Sequence, residues 1–574
     1  MRNHIRWMCW IAGTSLCMQA TAATIDVAID LAADRHPLST RIFGVSGSPD
    51  LAALAYPLVR WGGNSTTRYN WQADVHNTAQ DWFFMNIPDG NGTPSASSVE
   101  ALLESTLAAG SQPLLTLSMI DWTPKAVQQK LWGYSVVKYG PQRVTECSYF
   151  GANPPSWCSA DAGNGACDPA LNQTGHCSAE GLIVGNDPLD TADPATPQTQ
   201  TAWMAHLQQR FGGAADGGVR YYALDNEPML WNSTHRDVHP QPLTYDEIWQ
   251  RTVAYAGAIK AQDPAAKIFG PVTWGYCDLF GSAADNCLDG SDRAAHGGVP
   301  FVKWYLQQVC AYQTQHGVRL VDYLDLHYYP QGDGVVDFSD PPNGSETSTV
   351  SARRLRSLKE LYDASWESES WIADLGNVSP WYYSHPQLIP RARAWIDEAC
   401  PGTGLAITEY NWGADNGASS AIAQAEALAI FAREGVDVAA RWVAPAVGSL
   451  VERAFRLYLD FDGQGSTVEG ESVRAVSANV DALGAYAFHA PGTRIMIVLL
   501  NKATVANSAA IDFGTALAGN WRLFQFSGSS NLGLVGSGSV NGTSLLTASL
   551  PARSASLLVL PDSDRIFANG FDQP

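Results

Sequence analysis

Charge is scarce in this chain, and most of it is negative. Only 16% of the 574 residues are charged, and 56 acidic residues against 35 basic ones leave a net charge of −21. An acidic surface repels a phosphate backbone, so nucleic acid is excluded as the expected partner. Long apolar runs are also missing. Beyond the N-terminus no segment reaches the ~20 apolar residues of a membrane helix, so no membrane partner is expected. No C-x-x-C spacing is present, which argues against a zinc site. There is no EF-hand spacing, no internal repeat and no Pro/Ser-rich linker that would detach a module.

The N-terminus carries Arg2, His4 and Arg6, the apolar stretch Trp7 to Met18, and then Ala20-Thr21-Ala22. This pattern predicts a secretory signal peptide over residues 1–23. A membrane anchor would need a longer stretch, and the residues before Cys17 suit lipoprotein processing poorly. The expected location is therefore outside the cell or in the periplasm. Of ten cysteines, Cys9 and Cys17 leave with the signal. The even remainder suggests disulfides. Cys147, Cys158, Cys167 and Cys177 crowd one loop; Cys277 with Cys287, and Cys310 with Cys400, are the expected further pairs. Twenty Trp residues fit either flat apolar ligands or a large core.

From about residue 40 to 450, strand-type runs alternate with helical patterns. Eight strands are expected: Ile42–Ser46, Leu58–Trp61, Pro113–Ser118, Arg220–Leu224, Lys267–Pro271, Tyr323–His327, Gly404–Thr408 and Ala439–Val443. Helices are expected at Val99–Ala109, Thr244–Ala261, Phe301–Gln315 and Ala421–Glu434. This alternation predicts an α/β fold, a (β/α)8 TIM barrel over residues 41–452. A doubly wound open sheet is disfavoured, because no G-x-G-x-x-G turn follows the first strand. Past residue 453 the helical period fades into short alternating runs, predicting an antiparallel β-sandwich over 453–561. Residues 24–40 begin with an alternating segment, Thr24 to Leu31, expected to join that sandwich. Residues 562–574 form a tail.

In a barrel the chemistry sits at the C-terminal strand ends. Those ends hold Arg60-Trp61-Gly62-Gly63-Asn64, Asp121-Trp122, Asn226-Glu227-Pro228, Trp274-Gly275-Tyr276, His327-Tyr328-Tyr329-Pro330, Thr408-Glu409-Tyr410-Asn411-Trp412 and Trp442. Glu227 and Glu409 end the fourth and seventh strands, so they can face each other across the mouth. Glycoside hydrolysis needs such a pair, one protonated and one ionised. A single Glu there would more simply be a salt-bridge partner.

Asn226-Glu227-Pro228 and Thr408-Glu409-Tyr410 resemble the acid and nucleophile motifs of retaining glycosidases built on eight-fold barrels. The longer strings Arg60 to Asn64, Asp225 to Pro240 and Leu324 to Pro330 resemble glycoside hydrolase family 44, endoglucanases and xyloglucanases with a barrel and a β-sandwich. The resemblance implies that Glu227 is the acid/base, Glu409 the nucleophile and Asn226 a ligand of the sugar 2-hydroxyl. Arg60 and Tyr329 are candidates for orienting Glu409 and keeping it ionised. Asn64, Trp71, Trp231, Trp274, His327, Trp412 and Trp442 complete the expected substrate contacts.

The implied activity is a secreted retaining endo-β-1,4-glucanase acting, as a monomer, on xyloglucan or soluble cellulose chains. An endo-mannanase or xylanase on the same barrel, or a non-catalytic carbohydrate-binding protein, are the alternatives. No cofactor is required and no metal ligands are assigned. His235, Asp237 and His239 could ligate a metal, but Arg236 and Asp237 are expected to hold their loop, with both His in hydrogen bonds. Asp278, Asp285, Asp289 and Asp292 crowd the stretch Tyr276 to His296, read as a solvated, disulfide-pinned loop with structural calcium as the alternative.

Overall fold

A computed structural model describes residues 23–90, 97–126, 129–286, 289–339, 345–378 and 384–562. Eight parallel strands close into a barrel: β1 (Gly44–Ser46), β2 (Leu58–Trp61), β3 (Gln112–Leu117), β4 (Tyr221–Leu224), β5 (Lys267–Thr273), β6 (Tyr323–Tyr328), β7 (Gly404–Tyr410) and β8 (Val438–Arg441). All eight expected strands are present, with shifted ends. The first is shorter than expected, because Thr40–Phe43 wind into a 3-10 turn that buries Ile42 and Phe43. β1 then begins at Gly44, where a Cβ would lie 2.5 Å from the Ala439 carbonyl oxygen of β8. The eighth strand ends at Arg441, two residues early, with its last rung on Val45 of β1. The four expected helices appear as Ser98–Ala108, Tyr245–Gln262, Phe301–His316 and Ala418–Arg433.

Side chains fill the barrel, as the fold requires. Leu58, Leu114, Tyr221, Phe269, Ala406 and Val438 belong to one buried cluster. Within it Phe269 and Tyr323 stack at 4.4 Å. The buried polar side chains Arg60, Asp225, Asn226, His327 and Glu409 come from the C-terminal ends of the strands, where the candidate site lies.

The second layer is an antiparallel sheet folded over its own core. Its strands are β9 (Glu471–Ser477), β10 (Leu483–Ala490), β11 (Arg494–Asn501), β12 (Ser508–Ser527), β13 (Ser530–Leu546) and β14 (Ser554–Pro561). The segment Thr24–Asp30 does cross over to it, pairing antiparallel with β9 and parallel with β12. Its alternation explains why: Ile25, Val27 and Ile29 are buried between exposed neighbours. The helix Leu450–Leu459 runs across the boundary placed at 452/453. It buries Val451, Phe455 and Tyr458 and packs both on the barrel helix Ala418–Arg433 and on β12, β13 and β14. The two layers are joined without a linker: Lys502 Nζ meets Glu426 Oε1 of the barrel helix at 2.8 Å, and Tyr486 Oη donates to the same oxygen at 3.0 Å.

Disulfides join Cys147 to Cys158, Cys167 to Cys177 and Cys310 to Cys400. Cys277 is also disulfide-bonded, while Cys287 lies outside the described residues. Residues 1–22 of the expected signal peptide (1–23) and residues 563–574 of the expected tail (562–574) lie outside them too. Among the described residues no helix is long and apolar enough to cross a membrane.

Candidate active site

The C-terminal end of β4 is contorted. Asp225 and Glu227 both adopt positive φ, 68° and 47°, a conformation costing about 1–2 kcal/mol for a residue with a Cβ. The Asp225 carboxylate holds the bend: it accepts from Thr67 Oγ1 at 2.5 Å, Met119 N at 2.6 Å and Asn226 N at 2.8 Å. Burial nonetheless pushes its pKa up to about 6. Pro228 follows and cannot donate to a ladder. The effect is to turn Asn226 and Glu227 over the mouth.

Glu409 comes from β7 and keeps extended geometry. Arg60 Nη1 donates to its Oε2 at 2.7 Å and Tyr329 Oη to its Oε1 at 2.8 Å. Arg60 is fully buried, and Nη2 donates to Asn226 Oδ1 at 2.7 Å. Gly62 and Gly63 let the chain pass close by. A Cβ on Gly62 would lie 2.3 Å from the Arg60 guanidinium carbon, and one on Gly63, at φ 102°, would lie 2.5 Å from the Trp442 ring.

His327 sits between the two carboxylates. Its Nδ1 is 2.9 Å from Glu227 Oε1 and 3.7 Å from Glu409 Oε2. Arg60 Nη2 lies 3.3 Å from Nε2 and can only donate. Nε2 is therefore the acceptor, and Nδ1 carries the proton that it donates to Glu227. Burial and the Arg60 charge hold the His327 pKa well below its usual value, so the ring is neutral. Burial, and then the charge of Glu409, push the Glu227 pKa well above the carboxylate range. Carboxylate oxygens of Glu227 and Glu409 and the His327 nitrogen all lie within 4.8 Å of one another. One carboxyl held protonated beside another clasped by Arg60 can deliver a proton and an anion to the same bond.

Residues 75–332 match the model of glycoside hydrolase family 44. CelM2, a bifunctional glucanase-xylanase protein from a metagenome library, has a solved structure that superposes with a TM-score of 0.84 at 34% identity, over 94% of this chain and 100% of that one. The chain belongs to glycoside hydrolase family 44. Cel44A, a family 44 endoglucanase from Clostridium thermocellum, superposes at 0.73 with 25% identity, over 94% of this chain and all of that one. Endoglucanase A of Paenibacillus lautus is 28% identical over 504 residues, 84% of this chain, and the match spans 65% of that relative's length.

On this family 44 scaffold, the structure brings Arg60, Asn226, His327, Tyr329, Glu227 and Glu409 together. Asn64 extends the set: Asn226 Nδ2 donates to its Oδ1 at 3.3 Å, and its own Nδ2 donates to Asp81 at 3.2 and 3.1 Å. Trp442 and Trp274 are half-buried, and Trp442 lines a hollow of about 310 Å³ with Phe338 and Val443. Two tryptophans depart from expectation. Trp231 is 0% exposed, because the turn that follows Glu227 tucks it against His239 and Arg251. Trp412 is 1% exposed and donates to Ser357 Oγ in the helical layer at 3.1 Å. Neither can touch a sugar. Trp71 stacks on His206 at 5.3 Å.

The segment after Glu227 is a brace. Asp237 pairs with buried Arg68 at 2.6 Å, His239 with Glu247 at 3.0 Å, and Arg236 lies over Phe84 and Tyr134. His239 thus has its expected partner, and His235 is fully buried with the Asn64 backbone as its hydrogen-bonding neighbour. Among the described residues, the three-ligand grouping is Glu227, His327 and Glu409, where Arg60 already supplies the positive charge. In the Asp-rich loop, Asp278 accepts from Trp274 N, Asp285 from Asp292 N and Arg293 N, and Asp292 from Tyr245 N and Ser282 Oγ.

Asp325 and Thr408 have a role that the sequence pattern does not assign to them. Thr408 Oγ1 donates to Asp325 Oδ2 at 2.8 Å, beneath His327, and burial pushes the Asp325 pKa up to about 7. The signal was a charged residue two positions before His327, on the same inward face of a strand.

Proposed function

We propose that this protein is an exported endo-β-1,4-glucanase that hydrolyses xyloglucan or soluble cellulose chains with retention of configuration. The observation that carries the reading is the close approach of Glu227 and Glu409, one carboxylate oxygen of each lying within 4.8 Å of the other. Retaining enzymes hold their carboxyl groups about 5–5.5 Å apart, while inverting ones need about 6.5–9.5 Å to admit a water. Family membership and the similarity to endoglucanases support the substrate class. The disulfides support export, since such bonds persist in oxidising compartments.

In the proposed reaction, Glu409 attacks the anomeric carbon while Glu227 protonates the departing glycosidic oxygen. Arg60 and Tyr329 fix the attacking carboxylate, and Asn226 faces the sugar 2-hydroxyl. His327 donates to Glu227 as it becomes a carboxylate. Glu227 then takes a proton from water, which opens the glycosyl–Glu409 ester from the opposite face. These steps use the chain's own groups and need no metal.

Hydrolysis of a panel of β-glucans, with proton NMR of the first-formed product, tests this reading. The β-anomer is expected, and an α-anomer from a β-linked glucan would overturn it. Xylan belongs on the panel, because the 34%-identical neighbour is a glucanase-xylanase.

A further inference from the structure

The loop between β3 and the helix Pro197–Phe211 carries two short disulfide rings and a group of aromatic side chains that the proposed chemistry does not use. Tyr149 is 62% and Trp157 56% exposed. Both lie inside the ring closed by Cys147 and Cys158. Clustered exposed rings mark interaction sites more than scattered ones do, and Lys130 Nζ lies 4.5 Å from the centre of the Trp157 ring. These are well supported from below: Trp82 and Phe150 pack on Tyr149 at 5.2 and 5.4 Å, and Phe150 meets Trp157 edge-on at 5.4 Å.

The rings are continuous with the site. Trp82 comes from the loop after β2 and the disulfide ring from the loop after β3, and both loops open on the catalytic end of a barrel. Trp82 Nε1 donates to Glu146 Oε1 at 2.8 Å, beside Cys147. The residue before Trp82 is Asp81, which accepts from Asn64, the partner of Asn226. An unbroken chain of contacts thus runs from Asn226 through Asn64, Asp81 and Trp82 to Tyr149.

We infer that Tyr149 and Trp157 form an accessory binding surface for the β-1,4-glucan chain where it runs on beyond the cleft, an inference that rests on the proposed glucanase activity. The faces of a glucan ring carry C–H groups, which suit flat aromatic rings. The disulfide fixes the rings in advance, so little ordering entropy opposes binding.

The test compares long and short substrates in the full chain. The double variant Tyr149→Ala/Trp157→Ala should raise KM on polymeric xyloglucan roughly tenfold, judged from the worth of ring contacts. Its kcat/KM on an aryl cellobioside, too short to leave the cleft, should stay within about twofold. Tyr149→Phe/Trp157→Phe keeps both rings and should restore the polymer KM. Placed in an inert Glu409→Gln background, the alanine pair should also lose retardation in a xyloglucan gel. An unchanged polymer KM overturns the inference, and so does an equal loss on both substrates, which would mean that the loop merely shapes the cleft. A wild-type dimer that dissociates in the alanine variant would assign the rings to a second copy and also overturn it. Absence of wild-type activity on every β-glucan would instead defeat the proposed function.

Discussion

The ends of β4 and β7 each present one glutamate to the same cleft and treat it in opposite ways. At β7 the backbone stays extended, and Glu409 receives Arg60 on one oxygen and Tyr329 on the other. At β4 the backbone is bent through two positive-φ residues, and Glu227 receives, among the described residues, the neutral donor His327. The difference is made by neighbours rather than by the side chain. In one place a carboxylate accepts from a guanidinium and a phenol. A carboxyl with burial and a nearby negative charge holds its proton. One residue type thus supplies both partners of the proposed double displacement.

The sharpest way to break this comparison is to remove the β7 charge. Glu409→Gln should lower turnover by several orders of magnitude while the fold survives, because no other described side chain can replace the attacking anion. Near-normal turnover in a folded variant would refute the assignment. Glu227→Ala comes next. Loss of acid/base catalysis costs about 10²–10⁴-fold, but only where the leaving group needs a proton. Polysaccharide hydrolysis should therefore collapse, while an activated aryl glycoside still glycosylates Glu409. Azide should rescue that variant and give a β-glycosyl azide, whereas azide with Glu409→Ala should give the α-product. Swapped products would exchange the two roles.

Much of this was legible in the chain. Short β-rich runs separated by helical ones mark the barrel, and polar clusters at strand ends mark its mouth. The alternation Ile25, Val27, Ile29 betrays a strand that must find a sheet. The tryptophans were not legible in the same way. Trp231 and Trp412 follow the two glutamates at similar distances, as sugar platforms would, yet both turn inward. Whether a ring near a strand end faces the cleft depends on the turn that follows, and sequence spacing does not specify that turn. Asp325 was hidden for a related reason: its role exists only once β6 and β7 are paired, with Thr408 beside it.

A smaller effect should come from the phenol on Glu409. Tyr329→Phe removes one hydrogen bond to a charged group, worth about 1.5–3 kcal/mol. A fall in kcat/KM of roughly tenfold to a hundredfold is expected, with the product anomer unchanged. A loss as large as that of Glu409→Gln would mean that Tyr329 does more than position the carboxylate. No loss would leave Arg60 as the sole clasp.

The finest distinction between the two ends lies in why Glu227 keeps its proton. Two causes act together: burial is the larger, and the charge of Glu409 is the next. Both disfavour the ionised form, so the carboxyl stays protonated, and competent as an acid, as the pH climbs past the ordinary carboxylate range. It loses that competence when the pH passes its raised pKa, which sets the alkaline limb of kcat/KM. Glu409→Gln removes the second cause and leaves the first. In ¹³C-carboxyl NMR of that variant, Glu227 should titrate at lower pH than in the wild type, yet still above an ordinary glutamate. Two other results are informative. An unchanged titration would mean that Glu409 carries no charge while Glu227 ionises, which contradicts the clasp at β7. A fall all the way to the ordinary range would mean that burial contributes nothing, and that the bend at β4 serves only to aim the carboxyl.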